Sequence, residues 1–417
     1  MGVKLRIIFL FLIFAQLFAN NQIPGSEQKS PILLRGGTLH TVSNGVLEET
    51  DLLFSEGKII TIDQRIKPSP ETDVYDIYGK HVVPGFIASY TRIGLTEISA
   101  VKQTNDHSEI GIFNPNVRAN VTYNTDSDLI PITRSNGILT INSVPASGTI
   151  PGQSSVMSLD GWTWEEATLK HPTALHINWP NMYVEYEKKL KKGKKSQREI
   201  YLESIRGLDL LTRNVQAYHH RRNAKERKAE HKQKSDLRLE SMIPFIIFKE
   251  PIHIKASEIR QIEAAVKWSL KHDLNIVLVG GDDAWINPKI LVKNNIPVIL
   301  LGVQKTPQRR FEPIHTPYKL PAMLHAAGVR FCISLEPGYP MDGHVRTLPD
   351  EAMKAYSWGL DKDEALRSIT LSAAEILGVD ENIGSLEAGK DATFFISDTE
   401  PLLQKTNPSK AYIQGKE

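Results

Sequence analysis

The sequence predicts an α/β fold in which parallel strands alternate with helices. Short apolar runs of strand length recur along the chain, and such runs are typical of strands that are buried on both faces. Before one run, apolar residues recur every three or four positions from Ile259 to Leu270, which predicts a helix with one face packed on the sheet. The apolar runs cover residues 137–141, 275–279, 296–300 and 329–333.

A small β-module is expected to precede these parallel strands. Residues 32–83 alternate apolar and polar side chains, and they are interrupted by pairs and triplets that favour hairpin turns. The interruptions are Gly36-Gly37, Ser43-Asn44-Gly45 and Glu56-Gly57. A chain of 417 residues is long enough for a large α/β domain and such a module.

The first nineteen residues have the three-part layout of a secretory signal peptide. Lys4 and Arg6 precede an apolar run over residues 7–14, and small residues follow up to Ala19. We therefore expect residues 1–19 to be removed on export to the periplasm or the outside of the cell. A membrane anchor is the alternative interpretation, but the run is shorter than the ~20 residues that a spanning helix needs.

Composition excludes several classes of protein. Hydrophobic residues make up 41% of the chain and charged residues 24%, which are globular values rather than those of a disordered chain or a membrane bundle. Loss of the first nineteen residues removes two positive charges from a formal net charge of +2, so no nucleic-acid partner is indicated. The only cysteine, Cys332, lies in an apolar run, which predicts a small buried side chain and no disulfide framework.

Residues 183–238 interrupt the alternating pattern with many basic residues. Lysines are dense over residues 188–195, and arginines and lysines return over residues 221–228. Glutamates interleave with them, which favours a solvated helical crossover. A basic patch that binds lipid or a polyanion is the alternative interpretation.

Two motifs at opposite ends of the chain resemble the amidohydrolase superfamily. Residues 79–87, Gly-Lys-His-Val-Val-Pro-Gly-Phe-Ile, resemble the segment that leads into the first barrel strand, and residues 365–392 resemble the last barrel helix and the return of the chain. Residues 236–244 and 279–285 resemble an imidazolonepropionase-like, dihydroorotase-related branch. The resemblance covers residue 32 to the C-terminus, except for the basic segment 188–234.

The resemblance implies a TIM-type (β/α)8 barrel with a small β-sandwich. The barrel is expected over residues 86–383, with the crossover 183–238 inserted, and the sandwich over residues 20–85 and 384–417. It also implies a divalent, zinc-like metal at the C-terminal ends of the strands and hydrolysis of carbon–nitrogen bonds in small, possibly cyclic amides.

Most positions that hold the metal in this family carry other residues here. Tyr90 and Arg92 stand where two histidines of the first strand are expected, and arginine has no lone pair to offer a metal. Counting along the fifth strand places Ile252 at a ligand position, and His253, one residue later, is expected to face the other way unless a bulge intervenes. Gly280 occupies the position of the sixth strand.

The remaining candidates cluster around the eighth strand. Glu336 stands where the family places an aspartate that binds metal and moves a proton. Asp342 and His344 follow in the loop beyond that strand, where barrel active sites lie. We therefore name Glu336, Asp342 and His344 as candidate catalytic residues. His253 and Glu336 are the candidate metal ligands. His176 is expected to be an ordinary strand histidine.

The sequence leaves two hypotheses open. In the first, the chain is a hydrolase that uses Glu336 with His253, Asp342 or His344. In the second, it is a pseudoenzyme that binds a small molecule, forms a homo-oligomer or assembles with an active relative. In either case we expect Arg92 and Glu336, on neighbouring first and eighth strands, to form an ion pair in place of the metal.

Overall fold

The strands of the protein fall into three sheets in the computed structural model. The structure describes residues 23–182, 195–226, 234–338, 342–403, 405 and 407–417. The predicted signal peptide lies outside these residues, as do parts of the basic segment. Within the described ranges, none of the helices combines the length and the apolar character needed to cross a membrane.

The N- and C-terminal segments share a seven-stranded sheet, which we call the β-module. Residues 81–84 pair with residues 38–39 on one side and with residues 394–397 on the other, and Phe394 lies opposite Pro84. At the β2–β3 turn, Glu56 and Gly57 both have positive φ, as a two-residue hairpin turn requires. The strands are β1 Ile32–His40, β2 Val46–Ser55, β3 Lys58–Asp63, β4 Asp73–Asp76, β5 His81–Pro84, β15 Phe394–Ser397 and β16 Pro408–Tyr412.

The two termini therefore meet as the motifs predicted. All of the described strands of the β-module belong to the one sheet, and a second sheet facing it, which a sandwich requires, is not found among them.

Parallel strands form the centre of the fold. Five of them make one sheet, and two more pair in parallel in a second sheet, where two antiparallel strands follow them. The five-stranded sheet contains β10 Leu175–Asn178, β11 Ile252–Ala256, β12 Ile276–Gly280, β13 Val298–Leu301 and β14 Phe331–Ser334. The four-stranded sheet contains β6 Phe86–Thr91, β7 Ile138–Ser143, β8 Ser155–Ser158 and β9 Thr168–Lys170.

Strand β14 of one sheet lies beside β6 of the other. The Tyr90 backbone N–H donates to Ser334 Oγ at 3.0 Å, and Ser334 Oγ donates to the Tyr90 carbonyl at 3.2 Å. The fold is thus a mixed α/β arrangement of the expected kind. A closed ladder of eight parallel strands is not formed by the described residues, because the antiparallel strands β8 and β9 follow β7.

Helices cover the outer face of the parallel strands. The helix predicted from Ile259 onward is confirmed over residues 259–271, and a capping box of Glu258 and Gln261 fixes its start. Ile262 and Val266 are buried as expected, whereas Leu270 is exposed. The helices are α1 Leu129–Arg134, α2 Trp164–Ala167, α3 Gln197–Glu226, α4 Leu237–Ile246, α5 Ile259–Lys271, α6 Pro288–Lys293, α7 Thr316–Ala326, α8 Leu348–Ser357, α9 Lys362–Ser368 and α10 Leu371–Leu377.

Helix α3 shows that the basic segment is not wholly solvated. Leu208, Val215 and Tyr218 of this helix are buried in the main core, while the basic residues Arg221 and Arg222 are exposed. One face of the described crossover therefore contributes to folding.

Alternation along the strands separates two cores. Ile276 and Leu278 of β12 pack with the helices, whereas Val277 and Val279 pack in an inner cluster that also contains Tyr90 and Cys332. Cys332 is fully buried as predicted, its Sγ lies 3.2 Å from Ser89 Oγ, and burial raises the pKa of its thiol to about 12. It is therefore a packing residue rather than a nucleophile.

Candidate functional site

Four side chains gather at the C-terminal ends of β6, β11 and β14, and we call them the strand-end cluster: Tyr90, Arg92, Lys255 and Glu336. Lys255 Nζ donates to Glu336 Oε1 at 2.5 Å and lies 6.0 Å from the centroid of the Tyr90 ring. Arg92 makes no ion pair with any residue in the described part of the chain. The prediction of an Arg92–Glu336 ion pair is wrong, because the Glu336 carboxylate pairs with the Lys255 ammonium instead.

Lys255 reaches the cluster because of the register of β11. In the parallel sheet it lies opposite Asn178 on one side and Val279 on the other. Ile252 packs instead with the helices, so it does not line the site as the sequence predicted. The count along the fifth strand was displaced by one residue, and this displacement reversed the expected faces of the strand.

Charges in the strand-end cluster are well defined. Burial raises the pKa of the Tyr90 phenol, against the opposing effect of Lys255, so the phenol keeps its proton at neutral pH. Burial acts to lower the pKa of Lys255, but Tyr90 and Glu336 outweigh it and the pKa is raised. The pair of Lys255 and Glu336 therefore carries no net charge, and Arg92 beside it has no ion-pair partner among the described residues.

His253 also faces inward, contrary to the prediction. Its ring centroid lies 5.0 Å from that of His176 on the neighbouring strand, and His176 lies 5.9 Å from the Tyr90 ring. Burial lowers the pKa of His253 to about 3, and Lys170 adds to this effect. Burial also lowers the pKa of His176, with a further contribution from His253. Both imidazoles are therefore neutral at physiological pH.

Asp342 has a structural position beside the cluster. It is buried, and its carboxylate accepts hydrogen bonds from Gly338 N at 3.0 Å and Ser99 Oγ at 3.1 Å. These bonds tie the loop after β14 to the loop after β6. His344, two residues later, is exposed. Asp342 thus supports the site, and the structure does not bring His344 into the strand-end cluster.

The structure adds His107 to the residues near the site. Its Nδ1 lies 3.0 Å from Thr96 Oγ1. Burial and then Arg92 lower the pKa of this imidazole, and Asp342 partly opposes them. Sequence reasoning missed Lys255 and His107. Lys255 is the only charged side chain in the strand segment Ile252–Ala256, which was a usable signal, whereas His107 lies in a loop without a pattern.

Gly280 cannot accept a side chain without a rearrangement. Its φ is +96°, and a Cβ built on it would lie 2.5 Å from Ser257 Oγ. A glycine is required here by the close approach of the turn after β11.

Comparisons with known proteins agree with this fold. The model of the amidohydrolase family matches residues 315–417. The amidohydrolase tasK of Hapsidospora irregularis is 22% identical over 403 residues, which is 88% of this chain but only 39% of the relative's length. Both of these matches are to amidohydrolases, which this chain resembles in its sequence.

Solved structures of this superfamily share the arrangement of the chain. An amidohydrolase from Thermotoga maritima aligns with a TM-score of 0.79 and 22% identity, covering 92% of this chain and 98% of the other. A Xaa-Pro dipeptidase with bound methionine aligns with a TM-score of 0.55 and 12% identity, covering 93% and 99%. At these identities the structures support the fold alone.

The side chains present do not fit the divalent metal that amidohydrolases imply. Among the described residues, no three or more histidine, cysteine, aspartate or glutamate side chains are grouped to hold a metal ion. Arg92 and Lys255 bring cationic groups to the strand ends, and neither an ammonium nor a guanidinium has a lone pair for a metal. The carboxylate of Glu336 is already paired with Lys255.

Proposed function

We propose that this amidohydrolase-fold protein binds a small organic carboxylate at the strand-end cluster and no longer performs the metal-dependent hydrolysis of its family. The observation that carries this proposal is the unpaired, partly buried guanidinium of Arg92 beside an ion pair that is already neutral. A partly buried positive charge without a partner is unfavourable, and an incoming carboxylate removes that disadvantage.

The chemistry of the surrounding groups supports an acidic ligand. The guanidinium of Arg92 presents a planar set of donors that matches both oxygens of a carboxylate. The phenol of Tyr90 keeps its proton and can donate a further hydrogen bond. No role as a metal ligand is needed for either residue.

We also propose the setting of this activity. Removal of residues 1–19 would deliver the protein to the periplasm or the outside of the cell, because the sequence has the layout of a signal peptide. A second copy or an active amidohydrolase is the proposed partner.

Calorimetric titration with matched pairs of carboxylic acids and their primary amides tests the binding proposal. We expect the acids to bind and the uncharged amides to bind at least ~10-fold more weakly, because a hydrogen bond to a charged group contributes about 1.5–3 kcal/mol. Arg92→Gln should lose this preference and Arg92→Lys should keep part of it. Arg118→Gln is the control, since Arg118 is an exposed arginine that contacts His171. Equal binding of acid and amide would refute the proposal.

Hydrolysis of a carbon–nitrogen bond in a small cyclic amide is the second candidate function. It is favoured by one observation, the Glu336 carboxylate held at 2.5 Å from the Lys255 ammonium, since such a pair can transfer a proton. An assay of cyclic amides with chelator-treated protein tests it. Turnover that Glu336→Gln abolishes would support this function, and absence of turnover would leave binding as the role.

A further inference from the structure

Positive charge is concentrated in one segment of this chain. Residues 183–238 contain seventeen lysines and arginines but only eight aspartates and glutamates, an excess of nine positive charges, whereas the whole chain has a net charge of +2. The rest of the chain is therefore acidic overall. Helix α3 lies within the basic segment, and a local excess of this size indicates a surface that attracts an anionic partner.

The two faces of helix α3 have different environments. Leu208, Val215 and Tyr218 hold one face in the main core. On the opposite face, side chains that recur every three or four residues are exposed, and they alternate between arginine and leucine. We call these five residues the arginine–leucine face: Arg198, Leu202, Arg206, Leu210 and Arg213.

The guanidinium groups of this face are available to an external anion. In the part of the chain that the structure describes, none of the three arginines forms an ion pair. The acidic residues of the helix have other partners: Glu203 pairs with Lys195 at 2.5 Å, and Asp209 pairs with Lys271 at 2.8 Å. Three positive charges therefore point outward from one helix face without a neutralising carboxylate.

The leucines of this face indicate the kind of anionic partner. Leu202 and Leu210 are 40% and 54% exposed, although the helix is already held in place by its opposite face. A lipid bilayer offers phosphate groups to the arginines and, directly beneath them, an apolar layer to the leucines. A soluble polyanion such as a nucleic acid is bound through its phosphates and offers no such layer, so the alternation favours a membrane.

We propose that the arginine–leucine face of helix α3 docks the protein on the surface of a membrane that contains anionic phospholipids. The planar guanidinium groups bind lipid phosphates through paired hydrogen bonds, and the leucine side chains enter the boundary between headgroups and acyl chains. The excess of positive charge attracts the protein to the bilayer before these contacts form. Docking of this kind leaves the strand-end cluster free to bind its own ligand.

Sedimentation of the full chain with lipid vesicles tests the proposal. We expect binding to vesicles of phosphatidylcholine mixed with phosphatidylglycerol, and weaker binding as salt is added. The double variant Arg206→Gln with Arg213→Gln should bind these vesicles about 30-fold more weakly, since each basic residue near an anionic surface contributes roughly fivefold in affinity. If that variant folds poorly, Arg198→Gln with Arg206→Gln replaces it and should show the same loss.

The matched control is Arg65→Gln with Arg310→Gln. It removes two exposed arginines outside helix α3, so it changes the net charge equally and should retain wild-type binding. Every variant keeps the same N-terminal segment, so any contribution of residues 1–19 to vesicle binding is common to all of them. Equal weakening in the two double variants, or no binding of the wild-type chain to the anionic vesicles, would overturn the proposal.

Substitution of the leucines distinguishes a membrane from a soluble polyanion. Leu202→Ser with Leu210→Ser keeps every positive charge but removes the apolar groups, and it should weaken vesicle binding at least ~10-fold. Its binding to heparin should match that of the wild-type chain. Wild-type vesicle binding by this leucine variant would mean that the face recognises charge alone, and the assignment to a membrane would be refuted.

Discussion

The β-module and the strand-end cluster differ in whether their buried charged groups have partners within the chain. In the β-module, Asp51 is buried and its carboxylate accepts hydrogen bonds from the backbone N–H groups of Gly36 at 2.9 Å and Ile66 at 3.0 Å. In the strand-end cluster, Arg92 is partly buried and has no ion-pair partner among the described residues. The first arrangement completes the fold, and the second leaves a charge available to a ligand.

This difference indicates which region is free to change its function. Groups that satisfy buried backbone atoms cannot be exchanged without loss of stability, whereas the side chains at the strand ends are supported by other elements. Ser334, for example, fixes the backbone of Tyr90 rather than its ring. The family's fold can therefore persist while the chemistry at the strand ends is replaced.

The largest effect is expected from removal of a satisfied charge in the β-module. Asp51→Ala leaves two backbone N–H groups without an acceptor, and we expect a loss of about 3 kcal/mol in the free energy of unfolding. Denaturant unfolding measures it. Asp63→Ala is the control, because the Asp63 side chain is exposed and its one hydrogen bond among the described residues is accepted from the adjacent backbone N–H of Gln64. This substitution should change stability by less than ~0.5 kcal/mol. Equal effects of the two substitutions would contradict the comparison.

The sequence predicted the meeting of the two termini but not the identity of the charged pair. The family resemblance of the motifs around Pro84 and Ala392 implied that β5 and β15 share a sheet, as they do. Lys255 and Glu336 are 81 residues apart, and their contact depends on the register of a parallel sheet. The count along β11 was wrong by one residue, so it assigned the inward face of the strand to Ile252 instead of to His253 and Lys255.

A second effect concerns the pH dependence of the β-module. Burial lowers the pKa of His40 from 6.5 to about 4, and His81 and Lys362 add to this. Below pH 6.5, His40 therefore binds a proton in the unfolded chain but not in the folded chain. The stability of the folded chain falls as the pH falls toward 4. For this single group the loss between pH 7 and pH 5 is about 2 kcal/mol.

Replacement of His40 isolates that contribution. His40→Gln should reduce the loss of unfolding free energy between pH 7 and pH 5, measured by denaturant titration at each pH. Part of the loss should remain, because burial also lowers the pKa of His171 to about 4. His220→Gln, at an exposed position, should leave the pH dependence as it is in the wild type. An unchanged slope in His40→Gln would show that His40 does not resist protonation in the folded state.

The smallest effect tests which residue is the partner of Glu336. Lys255 and Glu336 are 35% and 46% exposed, so solvent screens their attraction and the coupling between them should be only ~1 kcal/mol. A double-mutant cycle of Lys255→Met and Glu336→Leu should measure this value in unfolding experiments. The parallel cycle of Arg92→Met and Glu336→Leu should be additive within ~0.5 kcal/mol, because Arg92 does not pair with Glu336.

Arg92→Met alone should leave stability unchanged or raise it, since it removes a partly buried charge that has no partner. A coupling of Glu336 to Arg92 larger than its coupling to Lys255 would mean that the guanidinium is already neutralised within the chain, and the strand-end cluster would then have no free charge for a ligand carboxylate.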